Sequence, residues 1–365
     1  MPTDTNPAGR QIRRAQNTGA RNVQTMLSAS VRDLRALHEQ ALADIQRDLA
    51  DLADSEGRIP LDRLGQAESI ARARLRDMGR QRDGLLEDRL GRTVAVGVAP
   101  WGVAADVGID RQQLAAQVLE FVTGFVDDNG LQLSDRLWRV DRLARDRVTE
   151  ALERAIVQGH SAAQAARDLL LRGESVPDDL LTKRGLAALA RIQQETGEAL
   201  MTGTMNPFFQ AERVMRTEIN RAYGETAIQA AIQHPDVIGL RFNLSPLHPE
   251  VDICDFHAEA NLHGLGPGIY PINDHPWPAH PNTLSFMTPV FRDEITDQDR
   301  AGRQSMTDYL NQQAADKQDA ILGGQAKGWA WRAGHLSPRQ IRTPWKTVRP
   351  QLQRRGIDIP ERFAP

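Results

Sequence analysis

From about Asn22 to Leu52 the apolar residues Val23, Met26, Leu27, Val31, Leu34, Leu42, Ile45, Leu49 and Leu52 return at intervals of three and four. That spacing lines them along one face of an α-helix. A second run of this kind extends from about Leu61 to Leu90, beside Pro60, where a missing N–H at a helix start costs little. Both runs carry charge of mixed sign, with Arg72, Arg74, Arg76, Asp77, Arg80, Arg82 and Asp83 close together, the pattern of a solvated helix face. Two long helices with a narrow apolar stripe predict an extended amphipathic arm over residues 1–92. Aromatic residues make up only 5% of the chain. Its abundant Ala, Leu, Arg and Gln favour helix, because most of these side chains lose little rotamer freedom there.

Residues 93–134 read as a linker and a helix. The Gly/Val-rich stretch at 91–109 predicts a break, as linker or as a short buried strand pair, and helix returns from about Arg111 to Asp127. A core domain over 135–292 follows. Helix is expected over Leu133–Gln158, and Ser161 with Gln164 forms a capping-box pattern that starts a new helix to about Leu171. Residues 172–181 read as loop, and helix resumes to about Met201 until Gly203, Asn206 and Pro207 break it. The most regular helical pattern is Glu212–His234, where Arg216, Glu218, Arg221 and Glu225 are spaced for i,i+3 and i,i+4 pairing.

At Val237 the period changes. Ile238, Leu240, Phe242 and Leu244 alternate as in a strand, and Leu284–Phe291 is the matching partner. Between them lies a segment, Asp252–Phe291, rich in proline and glycine. It holds the single cysteine, Cys254, and with His248 just before it gathers five of the nine histidines. From 293 to 365 the pattern is helical again and the charge is basic. The fold class is therefore mainly α with a small α+β domain, short antiparallel strands surrounding a Pro/Gly/His-rich loop.

Several functions are excluded by bulk properties. A net charge of −3 rules out a uniformly basic nucleic-acid binder. One cysteine cannot form an intrachain disulfide, which fits a reducing compartment. The first residues lack the apolar core of a signal peptide. Val94–Ile109 is too short, and too interrupted by Pro100 and Asp106, to span a bilayer. The expectation is a soluble chain made inside the cell, with no membrane partner.

Chemistry concentrates in three places. Cys254-x-x-His257 with His280 offers zinc a set of sulfur and nitrogen ligands, but no second tight pair completes a finger or ribbon; a buried cysteine and loop histidines in a structural knot is the more common reading of such residues. Cys254 as a nucleophile would need a base and an oxyanion hole, and no nucleophile-elbow or protease-like signature surrounds it. Glu218 and Arg221 read as an acid with an electrophilic partner or as a helix ion pair. In the C-terminal segment Lys327, Arg332, Arg339, Arg342, Lys346 and Arg349 are interleaved with Trp329, Trp331 and Trp345, with no acid between Ala320 and Gly356. Such a segment neutralises phosphates and stacks on bases, docks on an acidic protein face, or is simply a solvated helical tail.

These pieces stand in a recognisable order. Gly159 and Ser161 precede Arg216-Thr217-Glu218-x-x-Arg221-Ala222, then come a strand, the Cys254 loop, and Pro278-x-His280-Pro281-Asn282. The series, over roughly Asp135–Val290, resembles the phage Mu F-like head morphogenesis family. Ile321-Leu-Gly323 and Trp331-x-x-Gly334-His-Leu336 look like the segment that often accompanies it. The resemblance implies a minor head protein of a tailed phage or prophage rather than an enzyme. Such a protein is made in the host cytoplasm and built into the virion head. It would act at the portal vertex in head assembly and in DNA packaging or ejection. The implied partners are the portal protein, capsid or scaffold proteins, and phage DNA. The family motif falls on Arg216, Thr217, Glu218, Arg221, Gly266, Pro267, Gly268, His280 and Pro281. Many members begin the loop with C-x-x-C and end it with H-P-x-C-R-C; here those positions hold Cys254/His257 and Thr283/Ser285, so three of the four cysteines are missing. The loop is then expected to be held without a cofactor. Gly264–Gly268 would form a turn, Pro276, Pro278, Pro281 and Pro289 stiffen the return, and Phe256, Tyr270, Trp277 and Phe286 act as apolar anchors. Two other readings remain: a nucleic-acid-binding accessory protein acting through the basic tail, and a metal- or Cys-dependent hydrolase or toxin-like enzyme.

Overall fold

The apolar stripes become helices, and these run longer than their sequence signals. The computed structural model describes residues 7–102, 109–127, 129–184, 188–245, 248, 250–278 and 283–363. Helix α1 spans Pro7–Ala50, α2 Leu64–Val98, α3 Arg111–Gly124, α4 Leu133–Leu171, α5 Asp178–Arg184, α6 Leu189–Met201 and α7 Pro207–Gln233. Over residues 91–102 the expected break is absent: α2 continues to Val98 and a 3-10 turn over Ala99–Gly102, while 103–108 of that Gly/Val stretch lie outside the described residues. Gly97 explains the sequence there. A Cβ at that position would lie 2.8 Å from Cβ of Thr226 on α7, so glycine lets the two helices approach. The expected restart at Ser161 is also absent. Gly159 is buried inside α4, and His160 places Nε2 2.8 Å from the carbonyl oxygen of Ile59, so the helix passes straight through the capping-box pattern. Pro207 and Asn206, by contrast, mark the start of α7: the Asn206 Oδ1 accepts from the Phe209 N–H at 2.7 Å.

After α7 comes the only region of sheet among the described residues. Strand β1 (Val237–Asn243) lies between β2 (Ile269–Tyr270) and β3 (Phe286–Phe291), antiparallel to both. Leu240 pairs with Tyr270 on one side and Pro289 on the other. The chain is thus mainly α with one small antiparallel sheet, as its periodicities imply. The segment between β1 and β3 contains a short helix, α8 (Ile253–Glu259), where a continuous loop was expected. Asp252 starts it: its Oδ1 accepts from the Cys254 N–H at 2.6 Å, while Asp255 reaches back to the Asp252 N–H at 2.8 Å. Five short helices complete the chain: α9 Asp297–Ala301, α10 Met306–Asn311, α11 Ala315–Leu322, α12 Gln325–Arg332 and α13 Trp345–Arg354.

The chain divides into two compact units that differ from the consecutive segments expected. A sheet unit comprises Met1–Val23, Thr93–Leu119 and Asn220–Pro365; a helical unit comprises Gln24–Arg92 and Glu120–Ile219. Residues 24–92 are therefore not a free arm. Leu42, Ile45 and Leu49 of α1 and Ala71, Leu75 and Met78 of α2 are buried with Val148, Leu152 and Ile156 of α4 and with Ile192 and Leu200 of α6. Each fully buried Leu or Ile contributes roughly 1.5–3 kcal/mol, so a stripe of this length finds its stabilisation within the chain. In the same unit Arg82, 1% exposed, donates to both carboxylate oxygens of Asp141 at 2.8 and 3.2 Å and to Asp83. A fully buried guanidinium requires such pairing.

The C-terminal segment is not a solvated tail either. Trp331, Ile341, Val348 and Leu352 are buried in one cluster with Phe256 of α8, Ala260 just after it, and Tyr309 and Leu310 from α10. Among the described residues, no helix is long and apolar enough to cross a membrane.

Candidate functional site

The family-like motif is split between the units by its position on α7. Arg216, Thr217 and Glu218 belong to the helical unit and Arg221 to the sheet unit. Arg216 pairs with Glu212 at 2.6 Å, and the Thr217 hydroxyl donates to the Arg213 carbonyl at 2.7 Å. Glu218 is fully buried and ion-paired with Arg136 of α4; Arg221 is 6% exposed. Glu218 thus joins two helices, the ion-pair reading rather than an acid in an open cleft.

One turn further on, α7 holds the Pro/Gly/His segment directly. The Asn220 amide donates to the carbonyls of Thr283 and, at 3.1 Å, of Ser285. Trp277 lies against Gly224 so closely that any Cβ there would collide with the indole. Gly268 has φ +70, and a Cβ there would meet the Ala258 carbonyl oxygen; its own carbonyl accepts from the Phe242 N–H at 2.8 Å, locking the segment to β1. Gly266, also at positive φ, is buried beside Asp299, while Pro267 is exposed with its carbonyl 3.4 Å from Arg241 Nη1. The four expected aromatic anchors are all buried: Phe256 at 0%, Tyr270 at 3%, Trp277 at 7% and Phe286 at 8%. His280 and Pro281 lie outside the described residues.

Cys254 and His257 are fixed on α8 facing different partners. Cys254 is buried, with Sγ 3.5 Å from the Thr283 hydroxyl. His257 is fully buried, with Arg342 Nη2 3.1 Å from its Nε2 and the Tyr270 hydroxyl 3.1 Å from its Nδ1. A guanidinium only donates, so Nε2 accepts, Nδ1 carries the proton, and the Tyr270 O–H donates to the His257 carbonyl at 3.1 Å. Both ring nitrogens are therefore engaged by protein groups. The group of potential ligands that sequence spacing missed is elsewhere: His248 Nε2 lies 2.8 Å from Asp255 Oδ2, and with Asp252 the three offer ligand atoms within 4.8 Å of one another. Two carboxylates and an imidazole match a divalent cation in type. Here the same carboxylates cap α8, so a cation would have to displace those hydrogen bonds.

Beside this network opens a polar cavity of about 520 Å³, lined among others by His263, Tyr270, Asp274, His275, Arg303 and Arg342. Burial holds the His263 and His275 imidazoles below their ordinary pKa, opposed in both by Asp274. Burial likewise pushes the Tyr270 phenol above its usual range. The walls are set by short-range signals: Ser305 and Asp308 form a reciprocal cap at the start of α10, and Arg303 Nε donates to the Leu262 carbonyl at 3.1 Å. The S-x-x-D spacing of Ser305 and Asp308, and the D-x-x-D of Asp252 and Asp255, are the sequence marks that would have found these helix starts.

Of the proposed nucleic-acid or partner contacts, Lys327 and Trp331 are buried and unavailable as surface contacts. The Trp331 Nε1–H donates to Asn311 Oδ1 at 3.2 Å, and Trp329 and Trp345 pack against the same core. Arg332 is tied to Asp319 at 2.8 Å. Arg339, Arg342 and Lys346 are exposed and Arg349 is half-buried. The tryptophans therefore pack into or against the core, and of the basic residues Arg339, Arg342 and Lys346 lie on its outer surface. No family model matches the chain, and no curated protein or solved structure matches it either.

Proposed function

We propose that this chain is a minor head protein of a tailed phage or prophage, acting in head assembly at the portal vertex and in DNA packaging or ejection, without catalysis or a bound cofactor. The observation that carries this reading is the way α7 grips the segment between β1 and β3. The helix of the Arg-Thr-Glu motif also presents Asn220 to the Thr283 and Ser285 carbonyls and Gly224 to Trp277. Asn220 and Gly224, on the helix that carries the Arg-Thr-Glu motif, thus brace Trp277, Thr283 and Ser285 some fifty to sixty-five positions further along the chain. Polar groups consumed in holding a segment in place support a structural role for it.

In this reading the portal protein and capsid or scaffold proteins are the partners, phage DNA is a further contact, and the chain is incorporated from the host cytoplasm into the virion head. The exposed Arg339, Arg342 and Lys346 supply the surface that faces an acidic partner or DNA. A DNA-binding tail acting alone is disfavoured, because residues 320–365 cut from the chain would expose Trp331, Ile341, Val348 and Leu352.

The test is to delete the coding sequence from the phage or prophage that carries it and examine the particles made. The expected result is defective or empty heads, restored by the intact chain, with the tagged protein sedimenting with portal-containing particles. Normal yields of filled, infectious heads without the chain would overturn the proposal.

A further inference from the structure

Lys327 is the most unusual cation in the sheet unit. It lies on α12 and is 4% exposed, with its Nζ donating to the Ile341 carbonyl. An ammonium has three donors and that carbonyl takes one. Among the described residues no carboxylate forms an ion pair with it, and burial alone lowers its pKa to about 8. A buried charge without a counter-ion is costly, and proteins ordinarily supply one or dispense with the lysine.

The surroundings of Lys327 suit an anion. Lys327 lines a cavity of about 420 Å³ whose walls include Ile253, Ile321, Ile341 and Trp345. Arg342, whose Nη2 lies 3.1 Å from His257 Nε2, also lines this cavity from the chain leading into α13 and brings a second positive charge to it. Asp252 is at the rim, but its Oδ1 is taken by the Cys254 N–H. The cavity thus offers an apolar wall, an aromatic side chain, and two cations of which one is nearly inaccessible to water.

We propose that this cavity binds a carboxylate carried on an apolar stem. The carboxylate meets the two unused N–H donors of Lys327 and the Arg342 guanidinium, and the stem lies along Ile253, Ile341 and Trp345. A single negative charge fits better than a phosphate dianion, which would lose far more hydration in entering a cavity with mostly apolar walls. The proposal is independent of the assembly role.

The test uses the full chain with 3-phenylpropionate, its amide, and a short peptide ending in leucine as free acid or as amide, followed by calorimetry. Each acid is expected to bind about tenfold or more tightly than its amide, the ratio a charge-assisted hydrogen bond supplies. Affinity for the acid should fall as the pH rises past about 8 and the amine loses its proton. Tighter binding of the peptide acid would point to a polypeptide terminus as the natural ligand, and tighter binding of the small acid to a metabolite. Lys327→Met should cut the ratio of acid to amide affinity several-fold, leaving only the part that Arg342 supplies. If that variant fails to fold, the wild-type amine, followed by carbon NMR at Cε, should titrate at higher pH with the acid present. Equal binding of acid and amide, binding of neither, or an amine that titrates alike with and without the acid would overturn the proposal.

Discussion

The two units solve the same problem with different materials. The core cluster of the helical unit contains only Leu, Ile, Val, Met and Ala, drawn from long helices at regular spacing. The C-terminal core of the sheet unit is built from helices of five to ten residues and relies on Phe256, Tyr309 and Trp331. Long helices present a continuous ridge, so small aliphatic side chains fill the space between them. Short helices present one or two positions each, and a large ring must then reach several neighbours at once. Phe256 does this, with ring centroids 5.2 Å from Tyr309 and 5.1 Å from His257. Rigidity is thus distributed along the helical unit and concentrated at a few rings in the other.

The largest effect should separate the two cores. Phe256→Ala is expected to cost about 4 kcal/mol, against about 3 kcal/mol for Leu152→Ala. Hydrogen exchange read separately in each unit should show the first loss spreading from α8 to α10 and α13, and the second shared along α4. The contrast breaks if Leu152→Ala proves the more damaging.

A somewhat smaller effect belongs to the helical unit alone and depends on pH. His38 is fully buried, with Nδ1 bonded to the Leu34 carbonyl at 2.8 Å. Burial first, then Arg82 and Arg35, lower its pKa from 6.5 to about 4. The folded pKa is below the unfolded one, so the unfolded chain takes up the proton first. The contribution is whole above about pH 6.5, is lost as pH falls, and stops falling near pH 4. The full loss is about 3 kcal/mol. Denaturant midpoints measured across that range should flatten in His38→Gln, and an unchanged slope would remove His38 as the cause.

The smallest of the three probes how tightly the sheet unit is closed. Gly224→Ala forces a methyl group into the Trp277 indole and should cost about 2 kcal/mol. A melting temperature equal to that of the parent would show that Trp277 can move aside, and so that the segment between β1 and β3 is less firmly held than its packing implies.

Sequence periodicity was a good guide to the helical unit and a poor one to helix ends. The stripe of α1 was plain because one face of the helix is buried, and the alternation of β1 because its apolar side chains Leu240 and Phe242 share a buried face. The Gly/Val stretch after residue 90 looked like a break because glycine lowers helix propensity. That Gly97 is there to admit Thr226 is a tertiary fact that the local pattern does not carry. The Ser161 pattern failed for a related reason: α4 is bound on either side of it by buried Ala155, Ile156, Ala162 and Ala163, and packing outweighed the cap. In the candidate site the aromatic anchors were legible, since large apolar residues amid proline and glycine have few places to go. The partners of His257 were not, because Tyr270 and Arg342 come from elements thirteen and 85 residues away.

The glycines described at helix crossings have a counterpart that bears on how such a chain can be altered. Gly65, Gly84, Gly91 and Gly197 lie within or at the start of helices, and a side chain there would meet nothing within 4 Å. Gly97 and Gly224 stand in the same kind of backbone with no room at all. One residue type therefore marks both the freest and the least negotiable positions in the molecule. Anyone seeking to stiffen it has a short route: alanine at the open four, each worth roughly 0.4–1 kcal/mol through the unfolded state, leaves every crossing untouched.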